Sequence, residues 1–217
     1  MLVCIITLTF NLIFKMKRIL CLSGLCVVLF SGCQKPNPSL VENIKKNTSP
    51  SIPFTQYTIK KGQQFCDKSA YVPVEYDELK FAVTFDSSAI YHTLHPSNQY
   101  DINKLYGFSD NDSAHHLYSA RVGWRWSVNA LRLFAYIYNK GVRSSKELGT
   151  IQIGTENNCS IKVIDGHYIF SLNNINDTLL RSSTTAKGKG YKLYPYFGGD
   201  ETAPHDINIL IREIKAD

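Results

Sequence analysis

The chain has 217 residues, 44% of them hydrophobic, which is enough for one domain with a substantial core. Its formal net charge is +6, but Lys15, Lys17 and Arg18 precede Cys33, and the rest of the chain holds 21 basic and 18 acidic residues. An excess so small and scattered excludes a dedicated nucleic-acid-binding surface. Tyr, Ile, Thr, Val and Phe are plentiful, and this favours an all-β domain.

The first predicted element is a secretory signal. The apolar run "ILCLSGLCVVLF" (19–30) follows the basic "KMKR" and precedes the small residues of "SGC". The run is too short for a membrane span, which needs about 20 apolar residues. An additional apolar run occupies residues 1–14. Either translation starts at Met16, or both runs form one longer anchor with a charged break.

The segment "LFSGC" (29–33) resembles the lipobox of bacterial lipoproteins. The resemblance implies a signal segment over residues 1–33 and a lipid on Cys33. It also implies a membrane-anchored protein of the bacterial cell envelope, at the outer membrane or the cell surface. Residues 34–56 contain four prolines and predict a flexible tether, which leaves residues 57–217 for the folded domain.

Two cysteines remain after Cys33, namely Cys66 and Cys159. An extracytoplasmic chain could join them in a disulfide. Two buried free thiols are the alternative, since spacing along the chain does not give the distance between them. The chain shows no CxxC motif and no zinc-ligand spacing, and we expect no cofactor or metal.

The rest of the chain consists of candidate strands separated by turn signals. "CSIKVIDGHYIFSLN" is the clearest hairpin, with Asp165 and Gly166 at its turn. This pattern predicts an antiparallel β-sandwich or jelly roll. The candidate strands are 79–85, 104–109, 119–138, 147–154, 159–173, 190–197 and 206–214.

Residues 78–214 resemble concanavalin-like and laminin-G-like sandwiches. The resemblance rests on "LRLFAYIYNKGVRSSKELGTI", "VIDGHYIFSLN" and the late "YFGGD" turn. The chain also resembles bacterial lipoproteins that carry such a domain. This implies a concanavalin-like jelly roll in which one sheet carries the ligand cleft.

The stretch 119–138 predicts a hairpin with Val128 and Asn129 as its turn. In that register every pair on one face is apolar, including Trp124 with Leu133, so this face should lie in the core. The opposite face places Arg125 directly against Arg132, which requires an acidic side chain, solvent or a bound anion to offset the repulsion. A solvated face with acidic partners is the competing interpretation. The candidate ligand-binding residues on this face are Arg121, Arg125, Arg132, Phe134, Tyr136 and Tyr138.

Two loops hold further candidates. "SDNDSAHH" contains His115 and His116 after Asp110 and Asp112, a pattern that could bind calcium but lacks the full spacing of a calcium loop. "YFGGDETAPHD" could supply acids or a general base, although an ordinary turn explains it equally well. Its candidates are Asp200, Glu201, His205 and Asp206.

Three functions remain open from the sequence. The first is a lipid-anchored sandwich that binds a carbohydrate, and an acidic polysaccharide fits the arginine face. The second is a polysaccharide lyase or hydrolase of the cell envelope. Laminarinase-type hydrolases carry E-x-D-x-x-E, whereas "EYDELK" places Lys80 where the last Glu should be. The third is a structural or protein-interaction lipoprotein.

Overall fold

A computed structural model describes residues 52–215, which form two six-stranded antiparallel sheets. One sheet has the order β1-β12-β3-β8-β9-β10, and the other has the order β2-β11-β4-β5-β6-β7. The strands are β1 Thr55–Ile59, β2 Pro73–Tyr76, β3 Glu78–Phe85, β4 Asn103–Ser109, β5 Tyr118–Ser127, β6 Ala130–Asn139, β7 Val142–Ile151, β8 Asn157–Ile164, β9 His167–Leu172, β10 Ile175–Leu180, β11 Gly188–Leu193 and β12 Ile207–Ile214. The prediction of an all-β antiparallel sandwich is confirmed.

The hairpin of β5 and β6 has the register that the sequence predicts. Trp124 pairs with Leu133, and Arg125 pairs with Arg132. Val128 and Asn129 both have positive φ, at 51° and 53°, as a two-residue type I′ turn requires. The hairpin therefore presents a core face and an outer face, as its alternation indicates.

The core lies between the sheets and is rich in aromatic side chains. Trp124 is fully buried and packs on Phe85 of the opposite sheet, with ring centroids 5.3 Å apart. Tyr106 and Phe81 make a similar contact between the sheets at 5.3 Å. The predicted core role of Trp124 is confirmed, and Trp126 packs against the same core while partly exposed.

The sequence analysis missed three strands and misplaced one. β1 begins at Thr55, so the predicted tether runs two residues into the domain. β2 and β10 are only four and six residues long, which is too short for a clear alternation. The strand predicted over 147–154 is β7, which begins at Val142 and ends at Ile151 because it continues the hairpin pairing with β6.

Of the two alternatives for Cys66 and Cys159, the structure shows two buried free thiols and no disulfide between them. Cys66 forms a bridge with Ile59 of β1, whereas Cys159 lies on β8. β12 and β3 lie between those two strands. At about 4.8 Å per strand, the separation exceeds the roughly 4.4–6.8 Å between Cα atoms that a disulfide allows.

Cys33, the lipobox and most of the tether lie outside the described residues. Among residues 52–215, no helix has the length and apolar character needed to cross a bilayer.

Candidate functional site

A cavity of about 660 Å³ opens on the outer face of the β2-β11-β4-β5-β6-β7 sheet. We call it the tyrosine cleft, because six tyrosines line it. Its walls come from the sheet and from three covering segments, residues 65–71, 115–116 and 194–199. The lining residues are Phe65, Ser69, Ala70, Tyr71, Lys104, His115, His116, Arg121, Tyr136, Tyr138, Tyr191, Lys192, Leu193, Tyr194, Pro195, Tyr196 and Gly199, with Tyr194 turned partly into the core.

Strand pairing brings the floor of the cleft together. Arg121 of β5 pairs with Gly107 of β4 on one side and with Tyr136 of β6 on the other. The absence of a side chain at Gly107 makes room for Arg121, since a Cβ there would lie 2.8 Å from Arg121 Cγ and 2.1 Å from the Ala120 carbonyl oxygen. The neighbouring row on the same face contains Ser119 and Tyr138.

Within residues 52–215, Arg121 is a buried cation without a counter-ion. Only 6% of the residue is exposed, and its Nε has no hydrogen-bond partner. The ion pairs that arginines make within residues 52–215 involve Arg132, Arg181 and Arg212 instead. Burial lowers the pKa of Arg121, but a guanidinium remains charged in proteins. A buried charge of this kind normally has a partner, so Arg121 has the properties of an anion-binding group.

Lys104 adds a second positive charge to the floor. Its Nζ lies 5.1 Å from the centroid of the Tyr136 ring, and the Arg121 guanidinium lies 5.8 Å from the same centroid. Burial and the charge of Arg121 lower the pKa of Lys104 to about 8, although Asp101 acts in the opposite direction. The two cations therefore repel each other, and an anion bound between them would relieve that repulsion.

His115 and Tyr191 form a hydrogen-bonded pair at the wall of the cleft. The His115 backbone N–H donates to Tyr191 Oη at 3.1 Å, and the same Oη lies 2.8 Å from His115 Nδ1. Burial, followed by the charges of Arg121 and His116, lowers the pKa of His115 to about 4. The imidazole is therefore neutral at neutral pH. With the Tyr191 hydroxyl donating to Nδ1, His115 carries its proton on Nε2.

A buried ion pair holds the loop that carries His115. Arg181 Nε lies 2.7 Å from Asp110 Oδ2, and the side chains of both residues are almost fully buried. Tyr168 also donates a hydrogen bond to Asp110. Burial alone would raise the pKa of Asp110, but the bonds from Arg181 and Tyr168 lower it overall. Asp112 faces Lys189 at 3.1 Å, so Asp110 and Asp112 do not converge on a calcium site.

The tyrosine cleft contains no acid among its lining residues. No aspartate or glutamate of residues 52–215 lines it, whereas Lys104, Arg121 and Lys192 do. Lys192 is already paired with Glu213 at 2.7 Å. The cleft therefore has a net positive charge, and it lacks the carboxylate pair on which most glycoside hydrolases depend.

Three of the predicted ligand-binding residues lie outside the cleft. Arg125 donates to the Tyr100 carbonyl oxygen at 2.7 Å and lies over the Phe134 ring at 4.7 Å. Arg132 makes an ion pair with Glu147 at 2.7 Å. The repulsion between the two arginines is thus offset by Glu147 of the neighbouring strand, as the competing interpretation proposed, and also by the Phe134 ring. Of the six residues predicted, the cleft contains Arg121, Tyr136 and Tyr138.

Some of the candidates in the two loops also lie in the cleft and others lie outside it. His115 and His116 line the cleft. Glu201 instead accepts hydrogen bonds from the backbone N–H groups of Leu94 and His95, and so fixes a neighbouring turn. His205 contacts the Ser88 carbonyl oxygen, and Asp206 pairs with Lys60 at 2.8 Å. Asp200 is exposed and does not line the cleft.

Several residues of the cleft were not singled out from the sequence. Lys104 lies on the predicted strand 104–109, and Tyr191, Tyr194 and Tyr196 lie in "GYKLYPYF". Three tyrosines within this short stretch were the available signal for a ligand-binding surface. Phe65 and Tyr71 come from a segment without periodicity, and only the fold brings them to the rim.

Similarity to known structures shows the fold of the chain, but no family is shown for it. No protein-family model and no curated protein matches the sequence. Among solved structures, the chain is similar to a glycoside hydrolase family 16 endo-glucanase from Bacteroides ovatus, with a TM-score of 0.50 and 11% identity over 75% of this chain and 81% of that one. This confirms the concanavalin-like jelly roll, because that hydrolase has this fold.

Two further structures are more distant. An alginate lyase from Klebsiella pneumoniae aligns with a TM-score of 0.48 and 12% identity over 63% of this chain, which spans only 58% of the lyase. The carbohydrate-binding module CBM66 from Bacillus subtilis aligns with a TM-score of 0.37 and 10% identity, over 74% of this chain and 93% of the module.

Proposed function

We propose that the sandwich binds a polysaccharide carrying anionic groups, and that the tyrosine cleft is the binding site. The single observation that carries the proposal is Arg121, a buried guanidinium on the floor of an open cavity with no counter-ion in the described chain. A carboxylate or sulfate on a sugar would supply that counter-ion through paired hydrogen bonds.

The aromatic rim supports a sugar rather than a small inorganic anion. Phe65 is 66% exposed and Tyr71 is 76% exposed, although both lie on the wall of a cavity. Their rings offer flat apolar surfaces beside polar groups, and the C–H face of a sugar ring can pack on such surfaces. The named similarities to an endo-glucanase and a carbohydrate-binding module agree with a carbohydrate ligand.

Binding can be tested with the full-length protein in detergent, titrated with neutral β-glucan and with polygalacturonate and alginate. We expect the acidic chains to bind and Arg121→Met to weaken their binding roughly 10- to 100-fold, the usual worth of one or two charge-assisted hydrogen bonds. Arg132→Ala is the matched control, because it removes an arginine from the same sheet face outside the cleft. Equal binding by the Arg121→Met variant and the wild type would refute the proposal.

A polysaccharide lyase is the second candidate, and the His115–Tyr191 pair favours it. In the elimination that such a lyase catalyses, Tyr191 would remove the proton at C5 of a uronate, its own hydroxyl proton passing to His115 Nδ1. The bond from C4 to the leaving oxygen breaks and the C4–C5 double bond forms. Tyr191 would then protonate that oxygen, and His115 would return the proton to Tyr191. Arg121 would hold the carboxylate, whose negative charge grows as the C5 proton leaves.

The lyase is distinguished from a binding protein by its product. Unsaturated sugars absorb ultraviolet light, so a rise in absorbance on incubation with alginate or polygalacturonate would support catalysis. Tyr191→Phe should abolish that rise and leave binding within a few-fold of the wild type. Binding without any product over the acidic panel would exclude the lyase. A hydrolase is disfavoured, because no carboxylate of residues 52–215 lines the cleft.

The proposed anchor depends on the amino terminus. The lipobox-like "LFSGC" would place a lipid on Cys33 and hold the domain at a bacterial envelope surface. Mass spectrometry of the membrane-extracted protein should show an amino terminus at Cys33 with acyl chains attached. A mature chain that keeps residues 19–32 would contradict this part of the proposal.

A further inference from the structure

A second cavity adjoins the tyrosine cleft, and we call it the β2 cavity. It has a volume of about 530 Å³. Tyr71 and Tyr191 line both cavities, and their ring centroids lie 5.4 Å apart. A polymer that fills the tyrosine cleft and continues over these two rings enters the β2 cavity. Its lining residues are Tyr71, Pro73, Val74, Glu75, Asp112, Ser113, Ala114, Lys189, Gly190 and Tyr191.

The β2 cavity has the opposite charge to the tyrosine cleft. Its charged lining residues are Glu75, Asp112 and Lys189, and Asp112 pairs with Lys189 at 3.1 Å. The nearby Lys187 is committed to Asp77 at 2.8 Å. Glu75 is opposite Lys189 in the pairing of β2 with β11, but it is an exposed carboxylate that makes no ion pair within residues 52–215.

We propose that the β2 cavity is a subsite for a sugar unit without an anionic group, either neutral or carrying an amine. The inference rests on the proposed function and adds to it the order of charged and uncharged sugar units along the ligand. The unit over Arg121 is anionic, and the unit that lies beyond Tyr71 and Tyr191 is not. A second carboxylate would lie near Glu75, and like charges at that range repel. The preferred polymer therefore mixes acidic with neutral or basic sugars.

The test compares chains that differ only in charge. Alginate and polygalacturonate carry a carboxylate on every sugar, and esterifying half of these groups with methanol leaves the backbone and linkages unchanged. We expect the full-length protein to bind the half-esterified chains about two- to fivefold more tightly, the usual worth of an exposed charge contact. Glu75→Gln should remove that preference by improving the binding of the unesterified chains. Glu156→Gln is the matched control, because Glu156 is an acid in the loop between β7 and β8 and is paired with Arg212 of the other sheet.

The outcomes separate this inference from the function on which it rests. If unesterified chains bind and Arg121→Met weakens their binding, the proposed function holds. If the wild type then shows no preference, or Glu75→Gln leaves the preference unchanged, the subsite is refuted alone. If no acidic chain binds, or if Arg121→Met binds like the wild type, the proposed function and the subsite are refuted together.

Discussion

Replacing Arg121 with methionine should make the unliganded protein more stable. Burying a charge without a partner costs several kcal/mol even after the surroundings relax. In the structure the opposing gain is one cation–π contact with Tyr136, at 5.8 Å from the ring centroid. Such a contact contributes about 2 kcal/mol when desolvated. Methionine keeps most of the side-chain volume and removes the charge, so we expect stability to rise by about 1–3 kcal/mol.

Arg181→Met is the matched control and should have the opposite effect. Arg181 is also a buried arginine, at 7% exposed, but it is paired with Asp110. Its removal leaves the carboxylate of Asp110 buried without a cation, which costs about 3–5 kcal/mol. Two substitutions of the same chemistry on one domain are thus expected to shift stability in opposite directions.

Urea denaturation and thermal unfolding, both followed by tryptophan fluorescence, would measure the two effects, because Trp124 lies in the core between the sheets. A melting temperature raised by roughly 2–12 °C corresponds to the expected gain from Arg121→Met. Destabilisation by more than about 1 kcal/mol, a typical single-mutation effect, would refute the reasoning. It would mean that Arg121 has a stabilising partner in the folded chain.

Three other substitutions or conditions test the cleft and the hairpin. Gly107→Ala should destabilise the domain by about 1–3 kcal/mol in the same assay, because the new Cβ would lie 2.1 Å from the Ala120 carbonyl oxygen. Unchanged stability would contradict the close packing of β4 against β5 at Gly107. Binding of an acidic polysaccharide should weaken as pH rises through the Lys104 pKa of about 8, since the amine is charged below that pH and neutral above it. The Lys104→Met variant should lose this pH dependence. If binding by the variant and the wild type depended on pH in the same way, Lys104 would not be the group responsible. Val128→Asn should stabilise the domain by about 0.5–1 kcal/mol, because a β-branched residue is strained at a φ of 51°; a lower melting temperature would contradict that strain.

The hairpin shows which parts of the fold the sequence can predict. Alternation over residues 119–138 assigns each side chain to one of two faces, and the turn then sets every pair. The register follows from local information alone. β2 and β10 were missed because, at four and six residues, they are too short to show a clear alternation.

The candidate site could be predicted only in part. Arg121, Tyr136 and Tyr138 were found, because the hairpin places them on one face. Arg125 was chosen for its opposed partner, but that signal could not reveal the Phe134 ring and the Tyr100 carbonyl oxygen that engage it. Partners that satisfy a charge come from distant parts of the chain, and only the folded structure shows which cation is left without one.

The strand order also determines when the two sheets can be completed during synthesis. β12 lies between β1 and β3, and β11 lies between β2 and β4. Each sheet therefore has a gap beside its amino-terminal strands until residues 188–214 are available. The contacts that close both gaps join segments more than 80 residues apart, which is typical of slow folding. A nascent chain without β11 and β12 exposes four unpaired strand edges, which are sites for wrong pairing with other chains until the last two strands insert.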